Sequence, residues 1–189
     1  MSLSPAAQKI SDAAVLHFTE NGYDAASLSA IADAAGIRKA TIYSHFKNKD
    51  ELFLQVFSES LRAESEFVAA CFSQERRAGE GYLSAVAGRY SHSPSLRLLL
   101  RTAFVPPSPV RQEITRGYEA YLNKISDLFR LSLMQHQQAA DADLYCDAYI
   151  GIIDSVHIEL LYATHEAAER RRESLWKVFT LALGSAGRV

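Results

Sequence analysis

The sequence has few of the residues and patterns that would point away from a helical protein. It holds two cysteines, Cys71 and Cys146, far apart and in no Cys-x-x-Cys spacing, so neither a disulfide framework nor a zinc site is implied. Free thiols accord with a reducing compartment. Five prolines and nine glycines in 189 residues leave little room for long disordered tracts. Alternating β-branched runs bounded by turn dipeptides are missing, which argues against sheet. The most apolar stretch, YIGIIDSVHIELLYA, is broken by Asp154, His157 and Glu159 and is too short and too polar to cross a bilayer. The opening MSLSPAAQKISDAAVLHF lacks a basic segment followed by an apolar run, so it does not read as a secretory signal. A soluble, cytoplasmic chain with no membrane partner is expected.

Signatures of catalysis are equally scarce. No Gly-rich phosphate loop, Gly-x-Ser-x-Gly elbow or His-Glu-x-x-His pair occurs. Asp154 and His157 would make part of an acid–base pair, but no nucleophile stands at a diagnosable spacing from them. His157, Glu159, His165 and Glu166 lack the tight spacing of metal ligands, and Cys71 lacks basic neighbours that would stabilise a thiolate. No enzymatic activity, cofactor or metal is expected.

What is present is helix, and one concentration of positive charge. Apolar residues make up 48% of the chain, enough for a well-buried core, and the length suits one large domain or a small one joined to a larger. The net charge is −2, yet four of the 20 Lys and Arg fall together at Arg38, Lys39, Lys47 and Lys49, with no acid until Asp50. The other 16 stand against 22 Asp and Glu. A mildly acidic body therefore carries one local patch of the sign that a polyanion requires.

Capping and breaking residues divide the chain. Ser4-Pro5 opens a helix whose Ile10, Ala13, Ala14 and Phe18 recur at helical spacing, and Asn21-Gly22 stops it. A second short helix follows Ser27 and runs to Gly36, and a third covers roughly Lys39 to His45. Asn48 or Lys49 opens a long fourth helix. The stretch 73–81 reads as a loop, a helix follows to about Tyr90, and Pro94 starts the next. Three prolines in VPPSP (105–109) interrupt helix. A long amphipathic segment runs from Val110 to about His136, AADAD (139–143) separates it from a helix over 144–163, and a last helix ends at Gly184. There is no internal repeat. The expected fold is all-α, about nine helices, with three short ones before a longer bundle.

The short helices carry a particular arrangement. Ala32 falls where the second helix of a tight pair crosses the first, which only a small side chain permits. Gly36 falls where the chain needs a positive φ. Ile31, Ile37 and Ile42 stand at the three places that face a common core, with Leu28 and Phe46 beside them. This spacing is that of a DNA-binding helix-turn-helix, although Ala-rich helical pairs in plain bundles share it. With Ile37 and Ile42 inward, Lys39, Ala40, Thr41, Tyr43, Ser44 and His45 include the outward faces of the third helix. Such side chains reach base edges and phosphates in a major groove.

As a set, the residues of FTENGYDAASLSAIADAAGIRKATIYSHFKNKDELF resemble the N-terminal domain of TetR-family transcriptional regulators. The matching positions are Phe18, Gly22-Tyr23, Ser27, Ile31-Ala32, Ala35-Gly36-Ile37, Thr41-Ile42-Tyr43, His45-Phe46, Lys49 and Leu52-Phe53. The resemblance covers about 45 residues; the rest agrees only in length and helical texture. It implies a helix-turn-helix domain over 1–48 and a ligand-binding and dimerisation domain over 49–189. It further implies that Ser27 caps the second helix and touches a phosphate. Lys39, Ala40 and Thr41 would then lie nearest the bases, and Tyr43, His45 and Lys49 would contact phosphates. Arg38 stands where many relatives have a capping Ser or Thr, so it is also a candidate for a phosphate or guanine contact.

One such unit makes few contacts, so a dimer reading two half-sites of double-stranded operator DNA is expected. Gly151 and Ser155 form a small-residue ridge in the penultimate helix, flanked by Ile152, Val156 and Leu160, with Trp176 and Phe179 as anchors in the last. These residues would otherwise pack inside their own subunit. Aromatic or polar residues on apolar faces mark a small-molecule pocket: Phe67, Cys71, Tyr82, Phe104, Tyr118, Tyr121, Phe129, Asp154 and His157. Each also has a satisfied core position as its plainer fate. The function expected is a homodimeric repressor released from DNA by an effector. The alternatives are an effector-independent regulator and a helical-bundle enzyme or adaptor.

Overall fold

The computed structural model describes residues 4–136 and 141–185, and among these every regular element is a helix. The nine α-helices are α1 (Pro5–Ala25), α2 (Leu28–Ala34), α3 (Lys39–Tyr43), α4 (Lys49–Gln74), α5 (Glu80–His92), α6 (Pro94–Phe104), α7 (Arg111–Gln135), α8 (Ala142–Tyr162) and α9 (His165–Ser185). A 3-10 turn, Ser108–Val110, follows the prolines that end α6. Of the expected separator at 139–143, positions 139 and 140 lie outside the described residues. The elements form two compact units, one of residues 1–64 with 93–118, the other of 65–92 with 119–189.

In the first unit the caps read from the sequence are made. Ser4 Oγ accepts from Ala7 N at 3.2 Å, and Ser27 Oγ from Ala30 N at 3.1 Å. α2 ends in a Schellman motif, with Gly36 N bonded to Asp33 O and Ile37 N to Ala32 O, both at 3.0 Å. The motif requires the left-handed φ of 63° that Gly36 adopts. Phe18, Ile31, Ala32, Ile42, Phe46, Leu52 and Phe53 are buried around this turn, and Phe18 meets Phe53 edge to face at 4.9 Å. Ile37 is only half-buried, because the turn at Gly36 leaves it at the margin of the cluster. α3 stops at Tyr43 rather than His45: Ser44 Oγ bonds back to Thr41 O, and the next two amides, His45 and Phe46, both turn to Ile42 O. Asn48 caps α4 by accepting from Glu51 N, and the Glu51 carboxylate accepts from Lys47 N, the amide just before the cap. Ser93 caps α6 and donates to the buried Glu64 at 2.7 Å.

The second unit has an aromatic centre, where Phe129 stacks on Tyr149 at 4.1 Å beside Phe179. Its helix joint is tighter than the expected loop at 73–81. α4 continues to Gln74 and α5 begins at Glu80. Glu75 accounts for the difference: its carboxylate accepts from the amides of Gly79 and Gly81 and from Ser132 Oγ. Gly81 lies so close to α4 that a Cβ there would stand 2.4 Å from the Cys71 carbonyl oxygen. Beside the joint, Tyr82 Oη is 2.9 Å from Tyr121 Oη and 3.1 Å from His157 Nε2, all three fully or almost fully buried. Burial holds His157 neutral, with its pKa lowered to about 3.

Gly81→Ala is expected to cost about 1–3 kcal/mol in chemical denaturation, the usual penalty of overpacking. His157 stays neutral in the folded state down to about pH 3, whereas the unfolded chain takes up a proton near pH 6.5. Stability should therefore fall on acidification through that window, by up to about 1.4 kcal/mol per pH unit for this group. Urea melts of the wild type and His157→Gln between pH 7 and 4 should show their difference shifting in favour of the variant as pH drops.

Candidate nucleic-acid interface and interior site

α3 is short, and burial of Ile42 on one side decides what it offers on the other. Lys39, Ala40, Tyr43, Ser44 and His45 are exposed, with Tyr43 52% accessible despite its size. Thr41 is half-buried. Arg38 occupies the N-cap position with extended backbone, makes no side-chain cap and is exposed. Ser27 is exposed while capping α2. The outward set comprises two cations, an imidazole, hydroxyls and a small residue, a composition suited to phosphate oxygens and base edges together.

Lys49 is placed differently from the expectation that it contacts a phosphate. Its Nζ donates to the backbone carbonyls of Tyr23, Asp24 and Ala26 and lies 4.3 Å from the centre of the Tyr23 ring. The sequence offers no sign of this, because the acceptors are main-chain atoms set by the shape of the end of α1.

The interior candidates divide. Tyr82, Tyr121 and His157 come together, and the Phe67 and Tyr82 rings meet edge to face at 6.4 Å, with the Arg89 guanidinium 4.6 Å from the centre of the Phe67 ring. His157 thus turns its Nε2 to Tyr82, and Asp154, three residues before it on the same helix, is half-buried. Phe129 belongs to the aromatic stack, and Cys71 is half-buried. Phe104 and Tyr118 pack on each other at 5.9 Å in the first unit. Sequence reasoning missed a cavity of about 270 Å³ in the second unit, lined by Arg77, Ala78, His136, Trp176, Thr180 and Leu183 with Gly184. These positions lie on the α4–α5 joint, the end of α7 and α9, and no local spacing links them. Among the described residues no group of His, Cys, Asp and Glu is arranged to hold a metal ion, and no helix is long and apolar enough to cross a membrane.

The small-residue ridge of α8 is outward, but its expected flanks are not. Ile152, Val156, Leu160 and Phe179 are buried in their own unit, and Trp176 is half-buried, stacked on Phe179. On α8, Ile152 follows Gly151 and Val156 follows Ser155 by one residue, about 100° around the helix, and Leu160 lies five residues past Ser155, about 140° around. Gly151 is exposed, with open space around its Cα, and Ser155 accepts from Arg171 of α9 at 3.1 Å. The apolar residues that share the outward side are Leu144, Ala148, Ile158 and Tyr162 of α8, and α9 exposes Val178 and Leu181.

Residues 10–56 match the sequence profile described as bacterial regulatory proteins, tetR family. The fatty acid metabolism regulator protein of Bacillus subtilis (strain 168) is 28% identical over 159 residues, 79% of this chain and 80% of that protein. The crystal structure of the transcriptional regulator FadR from Bacillus subtilis in complex with stearoyl-CoA has a TM-score of 0.65 at 22% identity, over 89% of this chain and 96% of that one. The fatty acid degradation regulator FadR of Bacillus halodurans gives 0.71 at 21% identity, over 93% and 96%. With the helix-turn-helix residues in place, residues 10–56 match the DNA-binding domain of tetR-family bacterial regulatory proteins, and likeness to transcriptional regulators extends through both units.

Proposed function

We propose that this protein represses transcription as a homodimer and leaves its operator when it binds a long-chain acyl-coenzyme A. The functional division is residues 1–48 for DNA and 49–189 for effector and dimer. DNA contacts are assigned to Ser27, Arg38, Lys39, Ala40, Thr41, Tyr43 and His45. The observation that carries the DNA half is the one-sided burial of α3, with Ile42 inaccessible and Lys39 and Tyr43 beside it in solvent.

The effector class rests on the Bacillus subtilis relatives: likeness to the fatty acid metabolism regulator covers 80% of its length, and the FadR structure contains stearoyl-CoA. The cavity beside Trp176 supports it: Arg77 supplies a cation for a phosphate or carbonyl oxygen, and Leu183 and the indole supply apolar wall. The buried, hydrogen-bonded Tyr82–Tyr121–His157 chain lies in the same unit. The dimer is assigned to the outward stripe of α8 with Val178 and Leu181 of α9, both of which are two-thirds exposed. Repression follows by population shift, as an effector that prefers the conformer less suited to the operator lowers DNA affinity by its differential binding.

Lys39→Ala should weaken binding to a duplex selected from a random pool by the wild-type protein. It should also flatten the salt dependence by about 0.9 for each phosphate that Lys39 neutralises; an unchanged slope removes Lys39 from the backbone contacts. Stearoyl-CoA should raise the melting temperature and release the duplex, coenzyme A alone should do neither, and Arg77→Ala should weaken the response. If stearoyl-CoA leaves both melting and DNA affinity untouched, the acyl-CoA reading fails. Leu181→Glu should convert the dimer to a monomer by light scattering, and a wild-type monomer at micromolar concentration would overturn that assignment.

A further inference from the structure

α1 ends irregularly, and two cations of the same unit complete it. The chain leaves helical dihedrals at Gly22, where φ is 75°, so the carbonyls around that point lack the partners of a continuing helix. Arg101 of α6 donates through Nη1 to Thr19 O at 2.9 Å and Glu20 O at 3.2 Å. Lys49 of α4 donates through Nζ to Tyr23 O at 2.8 Å, Ala26 O at 3.3 Å and Asp24 O at 3.4 Å. An ammonium has three N–H donors, and three carbonyls occupy them. The ring that Lys49 covers is itself held. Tyr23 donates its hydroxyl to Asp50 and meets Phe53 edge-on at 5.1 Å. Burial, with the Asp50 carboxylate second, pushes its pKa up to about 12.

Helix polarity points the same way. A cation at the first position of a helix opposes the macrodipole, so Lys49 does nothing for α4 itself; Asp50 and Glu51 beside it supply the favourable charge there. Its placement is accounted for by the carbonyl-rich end of α1, where a cation is favoured. We propose that Lys49 is a positioning residue: its ammonium ties the end of α1, and with it the start of α2 at Ser27, to the head of α4, and thereby sets where α3 stands for DNA. A phosphate contact from the same ammonium would first have to displace one of the three carbonyls. This inference rests on the DNA-binding reading, which the wild-type protein checks in every measurement below.

The test uses the full-length chain and the duplex selected by the wild type, titrated at several salt concentrations. Lys49→Met keeps the apolar stem and removes the donors. It should bind several-fold more weakly with an unchanged salt slope. Without DNA, it should also melt lower and lose hydrogen-exchange protection in the amides of residues 23–31. Lys49→Arg separates the two roles even if the Met variant does not fold. A guanidinium grips phosphate at least as well as an ammonium, but its planar fork does not fit three converging carbonyls, so the Arg variant should also bind several-fold more weakly. The proposal is overturned if Lys49→Arg binds the duplex as tightly as wild type or tighter. It is equally overturned if Lys49→Met lowers the salt slope by about 0.9, the value of one phosphate, while leaving exchange in the free protein unchanged. Loss of DNA binding by the wild type itself would instead overturn the DNA-binding reading.

Discussion

The helix-turn-helix depends on burial of Ile42 and Ile31 in one cluster with Phe18 and Phe53. A five-residue helix has no independent stability, since nucleation consumes nearly all the hydrogen bonds it could form. α3 therefore exists because its apolar side is held against α2 within that buried cluster. That constraint explains the density of caps around it. The Schellman motif at Gly36, the Ser27 cap and the Asn48 and Glu51 caps each remove unsatisfied amides or carbonyls close to α3. They leave the outward residues of α3 as the ones not committed to holding the fold.

The second unit follows another economy. Its centre is aromatic, yet it encloses Tyr82, Tyr121 and His157, whose hydroxyls and imidazole Nε2 are joined in one hydrogen-bonded chain. Polar groups enclosed in this way stabilise only while their bonds are made. A ligand that reaches them must replace those bonds in kind, which favours molecules with a carbonyl or similar acceptor. Glu75 has a parallel role at the helix joint, binding two glycine amides and Ser132 so that α4 and α5 meet closely.

Much of this was legible in the chain. Ser4-Pro5, Ser27, Gly36, Ser93-Pro94 and the prolines at 106 and 107 mark helix ends through local chemistry, and the helices begin and end there within a few residues. The outward side of α3 was legible for the same reason, because helical spacing from Ile42 determines which neighbours face solvent. Inward and outward sides of α8 were not legible. That helix is apolar nearly all round, so periodicity cannot say which apolar residues its own unit covers, and Ile152, Val156 and Leu160 proved to be core while Leu144, Ile158 and Tyr162 are exposed.

By itself, then, the amino-acid order determined the helix ends, the sharp turn before α3 and the side of α3 that faces solvent, since each depends on residues within about one or two turns. The tertiary structure decided what long side chains do. Lys49 and Arg101 take main-chain carbonyls of α1, and His157 takes the Tyr82 hydroxyl. The cavity at Arg77 and Trp176 joins segments far apart in the chain. Those outcomes depend on which acceptors and walls the packed helices bring within reach, and that distance is a property of the fold.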